Sequence, residues 1–186
     1  NVCNGTNLEV IFETKSMPLT GMYLSGNSKK DLPSYDQGLA YCVNCGHGQL
    51  SNVISPEILY DDTYTHRSST SAISTTGNDF FYSYIKNIIN KQKYKSILEI
   101  GCNDLYLIKK IQSLGDSIIG IDPIWKNKDH MYNESTQIIG RFIEELDNGV
   151  DFETPPDLIL SSHTFEHVDN LYEQFKMLVE LSSDDC

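Results

Sequence analysis

Ser96-Ile97-Leu98-Glu99-Ile100-Gly101-Cys102-Asn103-Asp104-Leu105-Tyr106-Leu107 is the stretch that decides the fold. Its apolar run (Ile97, Leu98, Ile100) has the character of a buried parallel strand. The strand runs into a glycine turn and then into a segment with Leu107, Ile108, Ile111 and Leu114 at helical spacing. Strand, tight turn and helix make the first unit of a doubly wound α/β sheet, where ligands sit beyond the carboxyl ends of the strands. A second apolar strand, Ile118-Ile119-Gly120-Ile121, ends in Asp122, 21 residues past Gly101. An acid at that offset is placed to hold a ribose through its hydroxyls. The turn has one glycine and an Asn-Asp pair instead of G-x-G-x-x-G, so it makes little provision for a pyrophosphate.

Further along, Trp125 to Glu134 is polar and reads as a loop or a broken helix. Gln137 to Gly140 reads as a third short strand leading to Phe142-Ile143-Glu144-Glu145-Leu146, and Asp157 to Ser162 as a fourth, after Pro155-Pro156. The fourth strand ends at His163-Thr164-Phe165-Glu166-His167-Val168, before a helix through Leu171, Phe175, Leu178 and Val179. Four strands with three crossovers make half to two thirds of a doubly wound sheet, so the sheet is expected to be incomplete. Upstream, Asp79 to Asn90 carries Phe80, Phe81, Tyr84, Ile85, Ile88 and Ile89 at helical spacing and is expected to pack on the sheet. Lys91-Gln92-Lys93 closes that helix with cations suited to its C-terminus. The domain boundary is expected just before it.

The chain has 186 residues, 39% of them apolar, enough for one ordinary domain or for a small one and an incomplete one. No apolar stretch approaches the ~18 residues of a membrane helix, and no leader argues for secretion, so the chain reads as cytoplasmic. A net charge of −12 argues against nonspecific binding to nucleic acid or an anionic membrane. Asn1 is not Met, and Cys186 follows Ser-Ser-Asp-Asp without a closing element, so the sequence reads as a piece of a longer one. Five cysteines in such a chain point to metal or free thiols before disulfides.

The first 55 residues hold short β-like runs (Leu8 to Phe12, Gly38 to Cys42, Gly48 to Val53) separated by polar turns such as Ser25-Gly26-Asn27-Ser28. A unit so poor in large aliphatics needs a staple, and a structural metal is one kind. Cys42-Val43-Asn44-Cys45-Gly46-His47 has the C-x-x-C spacing and following glycine of a zinc knuckle, and Cys3 is a third thiol. A fourth ligand completing C-x-x-C with Cys3 falls one position before Asn1, and His47 is the second choice. Two free thiols on a turn are the competing reading, and a redox pair the weaker one, because Gly46-His47-Gly48 is a poor helix start. Ser55 caps a short helix with Pro56 in its first turn. Tyr64-Thr65-His66-Arg67-Ser68-Ser69-Thr70-Ser71 then combines an aromatic, a histidine, an arginine and several hydroxyls next to the long helix.

Together these residues resemble a class I S-adenosylmethionine-dependent methyltransferase, and more narrowly the zinc-containing C-methyltransferases that act on nucleotide-linked keto-deoxysugars. Four features match in order: Cys42-x-x-Cys45-Gly46 with Gln49-Leu50; Tyr64-x-His66-x-Ser68-Ser69-x-Ser71; Glu99 to Asp104 with Gly120-Ile121-Asp122-Pro123; and Phe165-Glu166-His167-Val168. The resemblance implies a Rossmann-like domain over residues 73–186, cut before its C-terminal part, preceded by a small β-rich zinc-binding, substrate-contacting domain over residues 1–72. It implies S-adenosylmethionine and Zn2+ as cofactors, with zinc on Cys3, Cys42 and Cys45. It implies a cofactor site from Glu99, Gly101, Asn103, Asp122, Pro123, Phe142 and His163, with the Arg141-Phe142 region beside the adenine. Tyr64, His66 and His167 are the expected catalytic candidates, His167 on the substrate's phosphate or sugar. The substrate is expected to be a small molecule, a nucleotide sugar methylated at carbon through an enolate. An O- or N-methyltransferase and a noncatalytic binding module are the alternatives. Two positions depart from the family: Leu105 stands where it has glycine, which is expected to crowd the cofactor's methionine end, and His66 replaces a second tyrosine.

Overall fold

The computed structural model describes residues 2–19, 26–27, 32–60, 64–89, 93–128, 130–146 and 152–186. Ser25, Ser28, Asn90, Lys91 and Gln92, on which part of the sequence reading falls, lie outside the described residues. The chain divides into two compact units, Asn1–Thr65 with Asn170–Tyr172, and His66–Asp169 with Glu173–Cys186.

In the first unit, β1 (Leu8–Pro18), β2 (Ser34–Cys42) and β3 (Gly48–Leu50) form an antiparallel sheet in that order. Ile11 is the extra residue of a bulge in β1, where Val10 faces Ala40 and Phe12 faces Leu39. Every residue of β1 is exposed, and Ala40 and Cys42 are this unit's buried apolar residues among those described. The short helix α1 (Pro56–Leu59) follows, with Ser55 Oγ accepting the Glu57 N–H at 3.3 Å.

The second unit has the Rossmann-like fold the sequence announces. Its strands are β4 (Tyr94–Ile100), β5 (Gly115–Ile121), β6 (His130–Asn133), β7 (Thr136–Ile139) and β8 (Leu158–Ser161), in the order β6-β7-β5-β4-β8. β7, β5, β4 and β8 run parallel. The chain moves outward from β4 through β5 to β7, then returns to lay β8 on the other side of β4. That reversal puts the ligand-binding crevice of the fold at the carboxyl ends of β4 and β8. β6 is a departure from the expected loop: His130–Asn133 pairs antiparallel with β7, with Asn133 Oδ1 accepting the Ser135 N–H at 3.0 Å in the turn between them.

Strand alternation sorts the core onto two faces. Ile97, Ile118, Ile138 and Leu160 meet Ile85, Leu107, Ile108 and Ile111 on one face. Leu98, Ile100, Ile119, Ile121 and Ile139 meet Ile143, Leu146, Leu178 and Leu181 on the other. The first layer comes from α2 (Ala72–Ile88) and α3 (Tyr106–Ile111), the second includes α4 (Leu171–Leu181). Helix α2 starts seven residues earlier than the apolar spacing indicates, because Ser71 caps it by accepting the Ser74 N–H. Its packing is also narrower than expected. Ile85 is buried and Phe81 and Ile89 pack on the core, but Phe80, Tyr84 and Ile88 are exposed. At 100° per residue, six apolar positions span more arc than one contact face can cover.

Candidate functional site

In the first unit the chain brings Cys3 to the Cys42-x-x-Cys45 turn. The three Sγ atoms lie within 4.8 Å of one another, with Cys3 and Cys42 at 3.5 Å. Tetrahedral zinc with Zn–S bonds of ~2.3 Å requires S···S separations of roughly 3.8 Å, so the cluster has the right size. Gly46, at φ 76°, closes the turn and donates its N–H to the Cys42 carbonyl at 2.7 Å. The backbone N–H groups of Cys45 and Asn44 point at the Cys42 sulfur and lower its thiol, as a thiolate ligand needs. A Cβ on Gly5 would fall 3.1 Å from the Cys3 Sγ and 3.2 Å from the Cys42 Sγ, so a side chain there would press on two of the three thiols. These residues fit a zinc ion. Among the described residues His47 is not part of the cluster.

In the second unit the site is built on the turn after β4, where three residues adopt the left-handed region: Gly101 (φ 78°), Asn103 (φ 43°) and Leu105 (φ 69°). The Leu105 side chain does not crowd a cofactor pocket. It is 1% exposed and belongs to the core cluster with Ile85, Ile97 and Ile108. Left-handed φ at residue 105 is a backbone requirement that glycine meets without strain and leucine meets at a cost. Gly101 makes room for a protein neighbour, since Thr164 Oγ1 sits where its Cβ would be. Thr164 Oγ1 and Ser161 Oγ both donate to the Ile100 carbonyl, at 3.2 and 3.1 Å, joining the loop after β8 to the end of β4.

Glu99 lies at the end of β4, opposite Gly120 on β5. It is 4% exposed, and among the described residues its Oε2 has no hydrogen-bond partner. Burial, and then the neighbouring Asp122 charge, push its carboxyl up to about 8. Asp122 accepts the Asn103 N–H on Oδ2 at 2.8 Å and the Ile124 N–H on Oδ1 at 3.0 Å. Burial raises its carboxyl, while those two N–H groups and the Arg67 charge pull the other way. A carboxylate has about four acceptor positions, so two remain for hydroxyl donors. Pro123 opens the single 3-10 turn Pro123–Trp125 that Asp122 caps.

His66 begins the second unit, with Nε2 3.5 Å from Ser74 Oγ. Tyr64 belongs to the first unit and packs edge-to-face on Tyr60, ring centroids 5.0 Å apart. His163, at φ 55°, is exposed with Nδ1 3.6 Å from Glu166 Oε1. His167 is exposed on the 3-10 turn Phe165–His167, its N–H on the Thr164 carbonyl at 2.9 Å. Phe142 is half-buried and donates its N–H to Glu145 Oε2. Next to it, Lys126, Asn127, Gly140, Arg141 and Glu145 line an open cleft of about 420 Å3 beyond β5 and β7. A Cβ on Gly140 would collide with the Trp125 carbonyl. Glu99, Asn103 and Asp122 are thus brought together, and Phe142 follows Arg141, which lines the neighbouring cleft.

Sequence reading missed the partners of the turn. Ser68 donates its N–H to Asn103 Oδ1 at 3.0 Å, and Ser69 gives its N–H, at 3.1 Å, and its hydroxyl to Asp104 Oδ2. Trp125 Nε1 donates to the Asn103 carbonyl at 2.7 Å. The hint available was the Asn103-Asp104 pair, two acceptors in a turn that need donors from elsewhere.

A family model described as "Methyltransferase domain" matches residues 79–185, more than half of the chain. The chain belongs to this methyltransferase family. A second model, "Putative zinc binding domain", matches residues 1–60, so donor set and family match agree on zinc. No curated protein matches. Among solved structures, the plantazolicin methyltransferase BpumL in complex with a monoazolic desmethylPZN analog and SAH is 24% identical, with a TM-score of 0.42, over 59% of this chain and 42% of that one. A "putative S-adenosylmethionine dependent methyltransferase" from Listeria monocytogenes is 17% identical, with a TM-score of 0.42, over 58% of this chain and 51% of that one. The chain spans about half the length of the solved structures it matches. No helix among the described residues is long and apolar enough to cross a membrane.

Proposed function

We propose that this methyltransferase domain binds S-adenosylmethionine at the turn after β4 and takes part in methylating a carbon of a nucleotide-linked keto-deoxysugar. The observation that carries the cofactor reading is the buried Glu99 Oε2, unpartnered among the described residues, near Asp122 at the carboxyl end of β4. An orphaned carboxylate oxygen costs several kcal/mol as a charge in a dry site. A cationic ligand group beside it removes that cost, and the methionine end of the cofactor carries an ammonium. Asp122 retains two acceptor positions for the ribose hydroxyls. The Arg141-Phe142 cleft beyond β7 is on the side where the adenine belongs in this reading. The residues fit the cofactor.

When bound, S-adenosylmethionine supplies an electrophilic methyl group on sulfur. The chain's own work is to hold it and to move one proton. C-methylation next to a ketone requires a base near neutral pKa and a donor for the enolate oxygen. His66, Tyr64 and His167 are the groups of suitable chemistry, with His167 on the sugar or its phosphate. The sugar reading is supported by the four motifs in order and by the thiol cluster ahead of the methyltransferase domain.

The test is calorimetry with S-adenosylhomocysteine on the unmodified chain and on Asp122→Ala. Micromolar binding, lost in Asp122→Ala, is expected. An unchanged Kd in that variant overturns the ribose role, and no heat from the unmodified chain moves the domain to the noncatalytic reading.

A further inference from the structure

We propose that Asn103 is a positioning residue, whose side chain fixes the segment His66–Thr70 as a strap on the turn after β4 and so sets where Arg67 lies relative to Asp122. The inference rests on the methyl-donor reading above and deepens it.

Asn103 has little hydrogen-bonding capacity left for a ligand. Its N–H is on Asp122 Oδ2 at 2.8 Å and its carbonyl takes Trp125 Nε1 at 2.7 Å. Both lone pairs of Oδ1 are engaged, by the N–H groups of Ser68 at 3.0 Å and Asp104 at 2.9 Å. Nδ2 reaches back to the His66 carbonyl at 3.5 Å. A residue so occupied acts through its neighbours. Its backbone orients Asp122, and its side chain holds the strap. The next pair repeats the attachment, with the Ser69 N–H and hydroxyl both on Asp104. Two successive strap residues are therefore pinned to two successive turn residues, 35 positions away in sequence.

The strap carries Arg67. Its Nη1 donates to the His66 carbonyl at 2.7 Å, so the guanidinium folds back along the strap instead of extending into solvent. Arg67 is half-buried, and its charge acts on Asp122. The left-handed φ of Asn103 matters here: asparagine adopts that region more readily than most residues, and its short amide then reaches local backbone N–H groups. Glycine at 103 keeps the backbone geometry and both backbone bonds but releases the strap.

The experiment measures S-adenosylhomocysteine binding by calorimetry, and melting temperature alongside, on the full chain and on Asn103→Gly, Ser69→Ala, Arg67→Gln and Asn103→Gly/Arg67→Gln. Asn103→Gly is expected to weaken binding about tenfold, the scale of one or two net hydrogen bonds. Ser69→Ala is expected to weaken it a few-fold, and it serves as the second probe should Asn103→Gly fold poorly. The double variant should bind no more weakly than Arg67→Gln alone, because the strap acts through Arg67. A purely structural role would lower the melting temperature without moving Kd, and that result overturns the proposal. Losses that multiply in the double variant overturn it as well. If the unmodified chain does not bind S-adenosylhomocysteine, the methyl-donor reading fails and takes this inference with it. Binding by the unmodified chain with Kd unmoved in Asn103→Gly and Ser69→Ala removes the positioning role alone.

Discussion

The hydroxyl of Thr164 occupies the place where a side chain on Gly101 would begin. With Gly101 at φ 78° and Thr164 Oγ1 donating to the Ile100 carbonyl, the strand end and the loop after β8 are closed on each other where the sheet order reverses. The glycine that marks the family motif thus serves packing between two loops as well as any ligand.

Gly101→Ala should therefore destabilise the second unit by about 2–3 kcal/mol. Left-handed strain supplies about 1 kcal/mol of this, and overpacking against Thr164 the rest. Adding Thr164→Ala removes Oγ1 and Cγ2 while leaving a Cβ 3.0 Å away, so it should recover part of the loss. Urea denaturation of both variants checks this. A double variant no more stable than Gly101→Ala would show that Thr164 is not the obstacle.

Leu105 sets two effects against each other. Its side chain is fully buried, and truncation to Ala costs about 2–5 kcal/mol in such sites. Its backbone is left-handed, a strain of about 1–2 kcal/mol that only glycine relieves. Burial wins, so both Leu105→Ala and Leu105→Gly should be less stable than the natural chain. The order between them should be unusual, with the glycine variant at least as stable as the alanine one, because it alone releases the strain. Melting temperatures of the two variants decide this.

How much of this was legible in the sequence follows from what kind of signal each element gives. The parallel strands β4, β5, β7 and β8 announced themselves because strands buried on both faces are continuous apolar runs. The thiol cluster was legible because C-x-x-C is a local geometry, and Cys3 was the remaining thiol near the start. β6 was not legible: His130 to Asn133 is exposed along its whole length, with no apolar-in, polar-out alternation to mark it, and only its pairing with β7 makes it a strand. The destination of Leu105 was not legible either. A departure from glycine reveals that φ is strained, whereas the direction of the side chain depends on the packing of α2 and α3. The Ser68–Asn103 and Ser69–Asp104 bonds join residues 35 apart, and no periodicity encodes them.

Glu99 makes the stability of the second unit depend on pH. Its carboxyl is near 8 in the folded chain, against about 4.3 for an ordinary glutamate. The folded state therefore holds a proton that the unfolded state releases between these values. The resulting stabilisation is complete below about pH 4 and is lost as pH rises towards 8, at up to ~1.4 kcal/mol per pH unit. Asp122, also raised by burial, adds in the same direction. Glu99→Gln should flatten the profile between about pH 5 and 8 and leave the variant more stable than the natural chain near pH 8. Denaturant midpoints across that range measure it, and parallel profiles for the two proteins would refute the assignment. Binding of a cationic ligand beside Glu99 favours the ionised form, so affinity for S-adenosylhomocysteine should rise with pH through the same window.

The first unit gives the sharpest expectation about metal. Among its described residues Ala40 and Cys42 are the buried apolar ones, far too little to order three strands without another source of free energy. Zinc held on Cys3, Cys42 and Cys45 would provide it, because the free energy of binding an ion to ligands assembled only in the folded state is folding free energy. Purified protein should carry about one zinc ion per chain, and a chelator should abolish the β-sheet signal of this unit. Cys42→Ser should lose zinc most completely, since its sulfur is buried and takes the N–H groups of Cys45 and Asn44. Gly5→Ala tests the cradle without touching a ligand. Its Cβ would lie 3.1 and 3.2 Å from two sulfurs and 2.8 Å from Asn44 Nδ2, so zinc should be held at least tenfold more weakly. Metal analysis and competition with a colorimetric chelator read both variants. A zinc-free chain whose first unit melts where the natural one does would remove the metal from the account of this fold.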